Sequence, residues 1–176
     1  FPSTTLFRSL ETGGTTFLLL IAVKHYEAGA TAKALVASGG SVGLLLSPLV
    51  VSWVQQTGWR TASAAARIAL IGAVAMLAMA LLPWVGVFVV GSGVAMAASS
   101  SAIPLLTKVY QENYPERKRG HFFSRTVMIR IAVAALFSEL AGRALTGHMR
   151  YHGVLLLIFA GAFVFGAVCL SRFPSR

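Results

Sequence analysis

The stretch Ile68–Thr107, IALIGAVAMLAMALLPWVGVFVVGSGVAMAASSSAIPLLT, contains no Asp, Glu, Lys, Arg or His. It is about twice the roughly 20 apolar residues that carry a helix across a bilayer, and Pro83-Trp84 stands near its middle. Proline lacks the amide hydrogen that a helix interior needs, so the stretch reads as two crossings joined by a tight turn. Outward from it the pattern repeats. The chain of 176 residues is 56% hydrophobic and 11% charged, with a mean hydropathy of +0.75, which leaves too little polar surface to cover a water-soluble globule. Its solvent is lipid.

Residues 1–9, Phe1-Pro2-Ser3-Thr4-Thr5-Leu6-Phe7-Arg8-Ser9, resemble the conceptual translation of a common sequencing-adapter oligonucleotide, departing at Ser3, and are read as an artefact outside the fold. Residues 10–176 read as an all-α, polytopic transmembrane helical bundle of about six spans, at about 10–23, 32–54, 62–82, 85–108, 122–146 and 154–171. The first is short: the apolar run Thr15–Val23 before Lys24 is about half of what a span needs, so this helix is expected to be truncated at its start.

Lys and Arg gather on one side of this arrangement. After the second, fourth and sixth spans stand Arg60, Arg67, Lys108, Arg117, Lys118, Arg119, Arg125, Arg172 and Arg176; the other side has Lys24, Lys33, Arg143 and Arg150. Basic residues near span ends are retained inside, so the even-numbered spans are expected to end in the cytoplasm of an integral protein of the plasma or inner membrane. The formal charge of +10 is thereby distributed among interfaces rather than forming a nucleic-acid footprint. Cys169 is the single cysteine and has no partner for an internal disulfide or a cysteine metal cluster. His25, His121, His148 and His152 fall in or beside loops without a second ligand type at metal spacing, so neither metal nor cofactor is expected.

Spans this apolar associate through small residues that let backbones approach. Gly39 and Gly43 form such a pair on the second span with Ser38 and Ser41, and the fourth carries Gly91, Gly93, Ala97 and Ala98. Gly39-Gly40-Ser41-Val42-Gly43 also matches G-x-S-x-G, but a nucleophile elbow needs a strand-to-helix turn, and here the motif sits within a span.

The turn between the second and third spans, Val51–Arg60, has the place and length of the G-x-x-x-D-R-x-G-R-R signature of the major facilitator superfamily; Gly58 and Arg60 match it, while Val51, Gln55, Gln56 and Trp59 depart. The basic loop Tyr114–Gly120 looks like that superfamily's P-x-x-x-R-G segment between the fourth and fifth spans, with Pro115, Arg119 and Gly120. With the six-span count, the chain resembles the amino-terminal half of such a transporter. That resemblance implies inverted three-helix repeats around a midplane substrate site, and a missing C-terminal half. The Arg often found early in the fourth span and the Gly-Pro signature of drug/proton antiporters have no counterpart.

Candidate functional residues are those that cost most inside a bilayer. Glu139 is read either as an ion-pair partner of Arg143 four residues on or as a cavity-lining group for a cation or proton. Arg130, on the opposite face, either snorkels to the interface or meets an anionic solute group. Ser99, Ser100 and Ser101 form a polar patch before Pro104, bonding back to their own helix or lining a cavity. The expected function is secondary transport of a small solute by alternating access, with or without a coupling ion and without covalent chemistry. The alternatives are a non-transporting scaffold or receptor and an intramembrane protease using Ser41.

Overall fold

The computed structural model describes residues 15–113 and 152–172, and positions 120, 121, 124, 125, 128, 131, 132, 135, 136, 139, 142 and 143. These residues are helical apart from short connections, and no strand occurs among them. Five helices are bounded: α1 Thr15–Lys24, α2 Ala30–Gln56, α3 Thr61–Leu81, α4 Val85–Asn113 and α5 His152–Ser171. Helix α5 corresponds to the sixth expected span; the described positions from 124 to 143 are helical and fall in the fifth, and Gly120 and His121, also helical, precede its expected start at 122. Helices α2, α3, α4 and α5 are each long and apolar enough to cross a membrane, which, with the helical character of the described residues, is the composition of a membrane protein.

The expected boundaries differ most at the end of α4, which continues to Asn113 rather than 108. Lys108, Gln111 and Glu112 are polar but favour helix, and the Asn113 side-chain amide Nδ2 donates back to the Val109 carbonyl at 2.9 Å. Polarity marks where this chain leaves lipid, not where its helix ends. Between α3 and α4, Leu82 is extended and Pro83 interrupts the backbone bonding, so a single charge-free stretch becomes two antiparallel helices.

Packing does not follow chain order. Helix α2 packs on α4, α4 on α3, and α3 on α5. In lipid the drive for this is close packing rather than apolar burial, and glycines set the distances. A Cβ added at Gly43 would lie 2.5 Å from the Ala97 carbonyl oxygen and 2.6 Å from the Ala97 Cα; one at Gly39 would lie 3.0 Å from the Gly93 Cα. The α2 and α4 backbones therefore touch over one turn of helix. Gly72 of α3 leaves the notch filled by the Phe163 ring of α5, and Gly91 of α4 receives the Met79 side chain of α3.

Phe88, Phe159, Leu18, Ile21, Met76 and Leu156 are fully buried at these junctions. Burial is uneven: 17% of the apolar window of α2 is buried, against 50% for α3, 56% for α4 and 44% for α5. Leu45, Leu49 and Trp53 stand out from the far face of α2.

Candidate functional site

Helix α4 carries its three consecutive serines into three different surroundings, because successive helical residues point about 100° apart. The Ser101 hydroxyl donates to the Ala98 carbonyl at 3.2 Å. Ser100 faces α2, its Oγ 3.5 Å from where a Cβ on Gly40 would sit. Ser99 is 1% exposed, and its Oγ has no hydrogen-bond partner among the described residues. A buried hydroxyl without a partner costs about 1–3 kcal/mol.

Ser99 shares one stripe of α4 with Phe88, Ser92 and Met96, at spacings of four, four and three. The segment containing α1 lies along this stripe: the Thr15 hydroxyl reaches the Met96 sulfur at 3.9 Å, and the Tyr26 ring meets Phe88 with centroids 4.9 Å apart. Ser92 donates to the Val89 carbonyl at 2.9 Å. The Tyr26 phenol oxygen is also buried without a partner among the described residues, and burial pushes its pKa up. Two buried hydroxyls without a partner among the described residues, Ser99 and Tyr26, thus stand along this side of α4.

Beside Tyr26, His25 lies against His152, the first residue of α5, with ring centroids 3.9 Å apart. Burial, and then the neighbouring His152, hold His25 below the usual histidine value. Far-separated loop histidines are brought together here, a pairing with no signal in the sequence. Among the described residues no group of three or more His, Cys, Asp or Glu comes together.

At the fifth span, Arg143 Nε donates to Glu139 Oε1 at 2.7 Å, and its Nη2 lies 2.6 Å from the same oxygen. The pair is of the i,i+4 kind and both side chains are well exposed, so in the chain as described they face lipid, water or further protein. No protein-family model, curated protein or solved structure matches this chain. The function therefore rests on geometry and chemistry alone.

The loop residues singled out in the sequence separate in the same way. Gly58 follows the end of α2 with a φ of +63°, the left-handed conformation that favours glycine at a helix C-terminus. Arg60 caps the start of α3 in an extended conformation. Gly120 is helical and exposed. Arg130, Pro115 and Arg119 lie outside the described residues. Ser41 is exposed in the middle of α2, so Gly39–Gly43 has no strand-to-helix turn and lacks the geometry of a nucleophile elbow.

Proposed function

We propose that this chain is the amino-terminal half-bundle of a secondary transporter of the major facilitator type, which moves a small solute by alternating access. The observation that carries the proposal is the packing order. A bundle that simply runs up and down puts consecutive helices side by side. Here the third and sixth spans pack together, and the fourth packs on both the second and the third. An inverted repeat relating spans 1–3 to spans 4–6 maps the third-to-sixth contact onto itself, which suits the architecture of such halves.

The polar groups agree with this reading. The orphan hydroxyls of Ser99 and Tyr26 lie where the first and fourth spans meet, and Glu139 with Arg143 supplies a charge pair that hydrocarbon would penalise. The outward apolar face of α2 suits a second bundle or lipid. On this reading the end of the bundle bearing Trp59 is cytoplasmic, because the basic residues after even-numbered spans collect there.

The test has two parts. The coding sequence beyond Arg176 is expected to encode a second set of about six spans, and a stop codon immediately after Arg176 would count heavily against the proposal. In liposomes containing the resulting full-length protein, a solute screen is expected to find flux that falls in Glu139→Gln, Arg130→Ala and Ser99→Ala. Flux unchanged in all three removes the assigned site while leaving the fold.

A further inference from the structure

The turn between α2 and α3 builds an exposed cationic platform from residues that are otherwise costly in a membrane. Helix α2 closes with the Thr57 amide and hydroxyl both donating to the Trp53 carbonyl, at 3.0 and 2.8 Å. Gly58, at positive φ, then reverses the chain, and Trp59 comes back beside Trp53 in an edge-to-face contact with centroids 4.9 Å apart. Arg67 begins two turns inside α3, at a depth where a guanidinium is expensive. Its side chain folds back along the helix until the guanidinium carbon lies 3.9 Å from the Trp59 ring centroid.

This stacking has a chemical consequence. It occupies the face of the guanidinium and leaves its N–H edge, which lies in the plane, open for two parallel hydrogen bonds. Arg67 is exposed, and the structure gives it no carboxylate partner among the described residues. The whole segment from Val51 to Arg67 contains no Asp or Glu. Trp53 and Trp59 are half-exposed indoles of the kind that settle at headgroup level. A planar cation held on an aromatic platform at the membrane surface, with no carboxylate partner among the described residues, matches a phosphodiester in charge, shape and depth.

We propose that the Trp53–Trp59–Arg67 corner is a binding site for the headgroup phosphate of an anionic phospholipid in the adjoining leaflet. Trp59 orients the Arg67 fork, Arg67 takes the phosphate bidentately, and the exposed Leu49 and Trp53 of α2 flank the first carbons of the acyl chains. The bound lipid supplies the charge that Arg67 lacks and so stabilises the start of α3 within the bilayer.

The chain contains three tryptophans, Trp53, Trp59 and Trp84, so within it Trp84→Phe leaves only the two at this corner; any tryptophan of the proposed second half is likewise changed to phenylalanine. The full chain carrying that change is reconstituted in phosphatidylcholine nanodiscs. Fluorescence quenching is then compared for phosphatidylglycerol and phosphatidylcholine, each brominated near the carbonyl end of its acyl chains.

A preference of roughly fivefold for phosphatidylglycerol is expected, the equilibrium equivalent of about 1 kcal/mol for one basic side chain at an anionic surface. Arg67→Gln is expected to bring the ratio close to one, with helical circular dichroism unchanged, and Arg67→Lys to recover less than half of the preference. Equal quenching by the two lipids in the parent overturns the proposal without reference to any variant. A preference undiminished in Arg67→Lys overturns it in favour of diffuse surface charge. Loss of the preference on adding excess inorganic phosphate or glycerol 3-phosphate overturns the lipid assignment in favour of a soluble phosphate.

Discussion

Gly43→Ala places a methyl group in the backbone contact between α2 and α4. The new Cβ would stand 2.5 Å from the Ala97 carbonyl oxygen and 2.6 Å from its Cα, so the helices must part by about 1 Å to restore ordinary van der Waals distance. A seam holding as many contacts as one buried leucine has ~40–60 atom pairs at ~0.1–0.2 kcal/mol each, and a gap of this size forfeits a quarter to a half of each well, in all about 1–6 kcal/mol with a central value near 3 kcal/mol. Replacing glycine by alanine inside a helix returns up to about 1 kcal/mol. The net expectation, taken from the central value, is a loss of about 2 kcal/mol.

The neighbouring glycines supply the controls. A Cβ on Gly40 meets only the Ser100 Oγ at 3.5 Å, an ordinary contact, so Gly40→Ala is expected to be neutral or to stabilise by up to about 1 kcal/mol. Gly39→Ala, 3.0 Å from the Gly93 Cα, falls between the two. Reversible unfolding in mixed detergent micelles, followed by helical circular dichroism, measures the series. If Gly40→Ala costs as much as Gly43→Ala, the close approach of α2 to Ala97 is not what holds these helices together.

Two other expectations rest on single contacts. Gly72→Ala drives a methyl into the rigid Phe163 ring, whereas Gly91→Ala meets the flexible Met79 side chain; the same unfolding assay is expected to give a loss of about 1–3 kcal/mol for the first and under about 1 kcal/mol for the second. Because His25 is held below its ordinary value of 6.5, the unfolded chain binds more protons just below that pH, and stability rises with pH across the window from the depressed folded value up to 6.5. The unfolding midpoint is accordingly expected to fall as pH drops below 6.5, and less so in His25→Gln; parallel pH profiles for the two proteins would refute the assignment.

Most of the fold was legible because the bilayer imposes a coarse rule on composition. The charge-free run Ile68–Thr107 announced two crossings, and Pro83 marked the break that the structure places between Leu81 and Val85. The sequence did not show which surfaces meet. Gly39 and Gly43 read as a packing face, but nothing in a pattern of small residues says that Gly93 and Ala97 lie opposite. Arg67 could be expected to reach for the interface, since length and charge dictate that much; its landing on Trp59 depends on the positive φ of Gly58 and the turn it makes. Ser99, Ser100 and Ser101 are chemically identical in the sequence, and only the rotation of α4 against α1 and α2 distinguishes the buried orphan from its neighbours.

If the chain is part of a transporter, as proposed, the seams also bear on its movement. Alternating access by rocking needs halves that hold their shape while the contact between them changes. Within this bundle α2 meets α4 backbone to backbone, and the Phe163 ring of α5 fills a notch in α3 that only glycine leaves open. Neither contact can slide by a fraction of a turn without meeting a side chain, because close-packed interfaces have discrete arrangements rather than continuous ones. The far face of α2 differs: Leu35, Val42 and Leu45, away from the Trp53–Trp59 corner, are exposed on it. On the transport reading, the bundle's internal seams are the rigid part and that face is where movement is accommodated. A disulfide joining α2 to α4 should then leave flux intact, whereas a disulfide from the outer face of α2 to the second bundle should stop it.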